Sequence, residues 1–176
     1  MPELPEVETI KLNLEHRILG LKISAIDVHD TRLRWPVNKQ ALQKWAKGEK
    51  IESLSRRSKY LIFHLQNDAA IIIHLGMSGR LGLFPKEAPL EKHTQVVFHF
   101  AEIQLRYRDP RRFGLVELAA PGEIDAYPRF TNLGPEPLSE KFDSDYIAAK
   151  SGRSKKAIKL WIMDAQNAVS YTHLRA

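Results

Sequence analysis

The sequence predicts an α+β fold: a leading helix, a long antiparallel β unit closed as a sandwich or a barrel, and a helical unit behind it. Three observations predict this. Val7, Ile10, Leu14 and Ile18 fall at helical spacing between Pro5 and Gly20. From Leu21 to about Leu118 the chain breaks into short, closely spaced runs rich in Ile, Val, Leu, Phe and Tyr. Near Asp125 the character changes again. There the stretch Leu133-Gly134-Pro135-Glu136-Pro137-Leu138 reads as a linker into a helical pattern over Ser139 to Asp164.

Each element has a local reason. Pro5 suits the first turn of the leading helix, Glu6 and Glu8 suit the positive end of its dipole, and Gly20 stops it. The candidate strands are Lys22–His29, Ile51–Arg56, Tyr60–Leu65, Ala70–Leu75, Gly79–Phe84, Thr94–Phe100, Ile103–Arg108 and Gly114–Glu117. Gln66-Asn67-Asp68 and Ala101-Glu102 read as hairpin connections. Behind the linker, Tyr146, Ile147 and Ala149 form one apolar set, and Ile158, Leu160, Trp161 and Met163 form another. There is no internal repeat and no low-complexity tract.

Length and composition narrow the class. The 176 residues suffice for one ordinary domain, or one plus part of a second. Hydrophobic residues at 43% and charged residues at 27% are the balance of a globular chain, not a disordered one. The longest unbroken apolar run, Ala69 to Ile73, is far short of the ~18 residues a membrane helix needs. Glu3, Glu6 and Glu8 stand where a secretory signal would be apolar. The absence of cysteine excludes disulfides, a thiol nucleophile and Cys-ligated metal within this chain. Twenty-seven Lys and Arg against 21 acidic residues give +6, which favours a polyanionic partner. The clustering says more than the total: Arg56, Arg57 and Lys59; Arg106, Arg108, Arg111 and Arg112; Lys150, Arg153, Lys155, Lys156 and Lys159.

Four segments could carry chemistry. Proline after Met1 permits methionine removal, which would expose the secondary amine of Pro2. An α-amino group titrates near 7.7–8.0, so roughly a tenth is unprotonated at neutral pH, against well under ~1% of an ordinary lysine. Such an amine can form an iminium with an aldehyde-like carbon, and the adjacent Glu3 could move the protons. Pro2 and Pro5 could equally just begin a helix. Lys59, between two candidate strands, reads as a phosphate clamp, a proton donor or acceptor, or a solvated turn residue. His74-Leu75-Gly76-Met77-Ser78-Gly79 breaks an apolar strand with two glycines, so Met77 is either a core residue or an exposed wedge of the kind that opens duplex DNA. His74 reads as a packed strand residue, because no companion ligand stands at metal spacing. Asp109-Pro110 starts a turn that carries Arg111, Arg112 and Phe113, suited to phosphate contact and base stacking or to an ordinary charged surface. His93 is either a phosphate donor or a solvated loop residue.

Taken together these segments resemble one family. Met-Pro-Glu-Leu-Pro-Glu-Val-Glu-Thr at 1–9, Arg-Leu-Arg-Trp-Pro-Val at 32–37, Arg-Arg-Ser-Lys-Tyr-Leu at 56–61, His-Leu-Gly-Met-Ser-Gly at 74–79, Asp-Pro-Arg-Arg-Phe-Gly at 109–114 and Leu-Gly-Pro-Glu-Pro-Leu at 133–138 look like bacterial formamidopyrimidine-DNA glycosylases. Leu4 after Met-Pro-Glu separates them from the related endonuclease VIII type, which usually has Gly there. The resemblance implies a base-excision repair enzyme that removes 8-oxoguanine and formamidopyrimidines and nicks the abasic site by β/δ-elimination. It implies Pro2 as the Schiff-base nucleophile, Glu3 as proton donor and Lys59 as proton donor in β-elimination. Met77, Arg111 and Phe113 would fill the gap left by the extruded nucleotide, and His93, Arg111 and Arg153 would contact DNA. The expected partner is damaged double-stranded DNA, with no membrane, bound by a monomer in the bacterial cytoplasm at the nucleoid.

The resemblance also shapes the domain expectation: a catalytic β-sandwich over 1–128, a linker and incomplete helix–two-turn–helix unit over 129–168, and an unrelated tail over 169–176. The family's four-cysteine zinc finger and its Gly-Asn-Ile-Tyr-Ala phosphate motif have no counterpart in this chain, so no cofactor is expected in it. A C-terminally truncated product, inactive and binding DNA only through charge, is the alternative expectation.

Overall fold

The computed structural model describes residues 2–152 and 154–169. The chain divides into two compact units, residues 1–125 and 126–176. In the first, helix α1 (Leu4–Ile18) is followed by strand β1 (Ala25–Val28), helix α2 (Lys39–Trp45), and strands β2 (Ile51–Arg57), β3 (Tyr60–Leu65), β4 (Ala70–His74), β5 (Arg80–Pro85), β6 (Thr94–His99), β7 (Ile103–Arg108) and β8 (Leu115–Ala119). The second carries α3 (Ser144–Ser151) and α4 (Ile158–Ile162).

Two four-stranded antiparallel sheets form, with orders β1-β6-β7-β5 and β2-β3-β4-β8. Inward side chains of both, among them Phe63, Ile71 and Ile73 from one and Phe98, Leu105 and Tyr107 from the other, share a single core. The open choice between sandwich and barrel is thus settled as a sandwich. β4 reads Ala-Ile-Ile-Ile because both of its faces are buried, as expected of an inner strand. α1 lays Val7, Leu14 and Ile18 into the same core. It ends where Gly20 takes a φ of 75° and donates its N–H to Ile51 O at 2.8 Å.

Two expectations need correction. Residues 39–45 lie inside the stretch expected to be strands and loops only, yet they form α2. Asn38 caps it, its Oδ1 accepting from the Ala41 N–H at 3.0 Å, and Leu42 and Ala46 enter the core. The pattern over 139–164 is not one helical run. Asp143 caps α3 through the Tyr146 N–H at 2.7 Å, Gly152 closes it, and α4 spans only five residues. Of the apolar set there, only Trp161 is buried; Ile158, Leu160 and Met163 are exposed. Asn167 Nδ2 donates to Trp161 O at 2.9 Å, and Gly134 N–H to Ala165 O at 2.8 Å, which close this unit on itself. Of the tail expected over 169–176, residues 170–176 lie outside the described residues.

Candidate active site

The first turn of α1 and the β2–β3 hairpin make one corner of the site. Glu6 in that turn accepts the Glu3 backbone N–H at 3.0 Å, and the Glu3 side chain accepts the Glu6 backbone N–H in return, a capping box that fixes Glu3 at the helix start. Arg57 pairs with Tyr60, so Ser58 and Lys59 form a two-residue turn, with Ser58 at a φ of 55°. Lys59 Nζ lies 2.7 Å from Glu3 Oε2, both side chains about one-fifth exposed. A second ion pair ties the same two elements: Arg56 Nε to Glu8 Oε2 at 2.6 Å, with Arg56 Nη1 also donating to Ser58 O at 2.8 Å. Burial alone would raise the Glu8 carboxyl, but hydrogen bonds from Lys11 and Arg56 outweigh it and hold the group below its ordinary value.

Pro2, half-buried, lines an open cleft of about 770 Å³ together with Glu6, Met77, Ser78, Arg80 and Arg108. Pro2 therefore shares this cleft with two arginines and the tip of the β4–β5 turn. Met77 at that tip is 44% exposed, which makes it a projecting apolar residue and not part of the core.

The turn between β7 and β8 stands behind the β4–β5 turn. Phe113 is 46% exposed, and the Arg111 guanidinium lies 4.9 Å from its ring centre, a cation–π pair at the surface. The two turns touch backbone to backbone. A Cβ on Gly76, which has a φ of 60°, would sit 2.5 Å from Phe113 C, and one on Gly114 would run into the Tyr107 hydroxyl. Arg112 also has a positive φ, 60°, and turns away to Asp30 at 2.8 Å. A hydrogen bond from Arg32, aided by the Arg112 charge, brings Asp30 down to about 2. His93, exposed with a φ of 68°, accepts the Asp109 backbone N–H at 3.1 Å.

The structure thus brings Glu3 to Lys59, Pro2 to Met77, and Arg111 to Phe113. Arg153 lies outside the described residues. His74 is a packed strand residue: its Nδ1 accepts the Gly76 N–H at 3.0 Å and its ring lies 4.8 Å from Tyr60. Sequence reasoning assigned no place in the site to Glu6, Ser78, Arg80 or Arg108, although all four fall in or beside the motifs. The missing signal was direction, since alternation along a strand tells which residues share a face but not which face borders the cleft.

Among the described residues no group of three His, Asp or Glu could hold a metal ion, and no helix is long and apolar enough to cross a membrane. With no cysteine in the chain, the zinc finger of the resembled family has no thiolate donors here.

Known proteins resemble this chain in sequence and in fold. The family model described as the formamidopyrimidine-DNA glycosylase N-terminal domain matches residues 1–116. A formamidopyrimidine-DNA glycosylase of Escherichia coli is 41% identical over 177 aligned residues, covering all of this chain and 64% of that protein. One of Bacillus licheniformis is 38% identical over 171, covering 96% and 62%. The Lactococcus lactis enzyme in complex with Fapy-dG-containing DNA superposes with a TM-score of 0.86 at 37% identity, over 96% of this chain and 63% of that one. The same enzyme bound non-covalently to DNA with an AP site gives 0.85 at 38%, over 95% and 64%. The chain therefore spans a little under two thirds of the length of the relatives it matches. With a family model covering most of it, and relatives near 40% identity along its whole length, the chain belongs to the formamidopyrimidine-DNA glycosylase family.

Proposed function

We propose that this chain carries the catalytic half of a base-excision DNA glycosylase with AP lyase activity, acting on oxidised purines such as 8-oxoguanine and formamidopyrimidines in double-stranded DNA. The carrying observation is the Lys59–Glu3 pair at 2.7 Å, next in the chain to Pro2, which lines a cleft with Met77, Arg80 and Arg108. The Lactococcus lactis neighbours bound to Fapy-dG and AP-site DNA support the substrate class. Relatives from Escherichia coli and Bacillus licheniformis support action at the bacterial nucleoid, in the cytoplasm.

The mechanism follows from the chemistry of the corner. With Met1 removed, the Pro2 nitrogen attacks C1′ of the damaged nucleotide. The glycosidic bond breaks, and its electron pair leaves with the base, which takes up a proton. Glu3 protonates the ring oxygen, the deoxyribose opens, and the N–C1′ bond becomes an iminium. The iminium acidifies C2′; loss of that proton expels the 3′ phosphate, with the Lys59 ammonium as donor to the departing oxygen. A second elimination releases the 5′ phosphate. Met77 fills the space of the extruded nucleotide, while Arg111 and Phe113 face the opposite strand. His93 and the cleft arginines Arg80 and Arg108 supply phosphate contacts, and Arg153 is a further DNA contact in this reading.

Borohydride trapping on a duplex with one abasic site tests the proposal. Protein lacking Met1 forms a covalent adduct at Pro2; Met1-retaining protein forms none there, because the proline nitrogen is then an amide. Salt-sensitive DNA retention without an adduct would overturn the enzyme reading in favour of a fragment that binds DNA through charge alone.

A further inference from the structure

The turns that carry the exposed Met77 and Phe113 hang from one residue that is not itself exposed. Asp109 is 0% accessible. Its carboxylate accepts from the Ser78 hydroxyl at 2.6 Å, the Gly114 N–H at 2.8 Å, the Arg111 N–H at 3.3 Å and the Tyr107 hydroxyl at 3.4 Å. Its backbone N–H donates to His93 O at 3.1 Å and to Gln95 Oε1 at 2.6 Å, and Gln95 Nε2 returns a bond to Asp109 O at 2.8 Å. Ser78 Oγ accepts the Arg111 N–H as well, at 3.3 Å. Three of the four donors come from two turns and the fourth, Tyr107, from β7; Met77 precedes Ser78 on one turn and Phe113 precedes Gly114 on the other.

Hydrogen bonds to a buried anion are strong, and a buried anion that loses a donor is costly. Neither turn can shift alone without stripping the carboxylate. Steric contact enforces the same coupling, because Gly76 lies against the Phe113–Gly114 backbone with no room for a Cβ. The Tyr107 phenol seals the network from below; burial first, then the Asp109 charge, push its ionisation far above the ordinary range.

We propose that Asp109, acting through Ser78, is a positioning residue that makes the Met77 turn and the Arg111–Phe113 turn move as one body, so that filling the gap of an extruded nucleotide and probing the opposite strand are a single event. The DNA half of this inference rests on the function proposed above; the coupling is a property of the protein alone.

The experiment has two arms. Asp109→Asn risks losing the fold, so Ser78→Ala is the informative variant and Ser78→Thr the rescue. In the protein alone, hydrogen exchange is followed at the Gly79, Arg112 and Gly114 amides. Ser78→Ala is expected to speed all three about tenfold, with β3 and β4 amides unchanged, and Ser78→Thr to restore them. Faster exchange at Gly79 alone would overturn the coupling. In the second arm, Schiff-base trapping is compared on duplex and single-stranded abasic DNA. The duplex-to-single-strand ratio is expected to fall about tenfold in Ser78→Ala and to recover in Ser78→Thr. Coupled exchange with an unchanged ratio would overturn the role in strand opening. If the unsubstituted protein traps neither DNA, the repair reading itself fails, and the exchange arm still decides whether the two turns are one body.

Discussion

The two corners of the site are held by different physics. The chemical corner joins α1 to the β2–β3 hairpin through Glu3–Lys59 and Glu8–Arg56, ion pairs between side chains that keep 15–33% of their surface in water. The wedge corner joins the β4–β5 and β7–β8 turns through a fully buried carboxylate and a glycine-to-backbone contact. Partly solvated pairs are weak and screened by salt, whereas a buried acceptor with several donors is rigid. Under the proposed function, the residue that exchanges protons is thus held by solvated pairs, and the residues that enter a base stack are held by a buried network.

Four substitutions sharpen or break this contrast. The largest effect is expected from Asp109→Asn, which turns an acceptor of four bonds into a group with its own donors; urea denaturation should show a loss of about 3 kcal/mol or more. If it melts like the parent, the wedge corner is not held as described. Gly114→Ala comes next, at about 2–3 kcal/mol by the same measurement, because its Cβ has only the Tyr107 hydroxyl and His74 O to occupy. Lys59→Ala should cost under ~1 kcal/mol in folding yet lower strand cleavage on an abasic duplex by about a hundredfold or more. Equal loss of the folded state would make Lys59 a structural residue.

Glu8→Gln is the smallest, again under ~1 kcal/mol at neutral pH, and it should change the acid limb of the stability curve. Glu8 is held below its ordinary value in the fold, so its ionised form stabilises the folded state. That contribution is complete above the unfolded value near ~4.3 and is lost as pH falls through the lower folded value. Thermal melts between neutral pH and ~3 should fall less steeply in the variant; identical slopes would remove Glu8 from the clamp.

Much of the first unit was legible from local pattern. All eight strand regions stand where short apolar runs and turn residues put them, since β-branched and aromatic residues pack well on a half-buried pleated surface. α2 escaped because its seven residues offer only one capping signal, Asn38, among strand-like neighbours. In the second unit the apolar spacing overstated the helix, because Gly152 and the short α4 interrupt it and three of four apolar residues face water. Lys59 was legible as a turn residue, and Met77 and Phe113 as residues at the tips of loops, while their partners were not.

By itself the sequence determined the leading helix, the eight strand regions and the motif residues, because dihedral preference and side-chain periodicity act over a few residues at a time. Only the tertiary structure decided that Glu3 meets Lys59, that Pro2 shares a cleft with Met77 and Arg108, and that Asp109 binds two separate turns. Those pairings depend on how two sheets and a helix pack on a common core, and that packing sums weak burial terms over many distant residues that no short window of sequence contains.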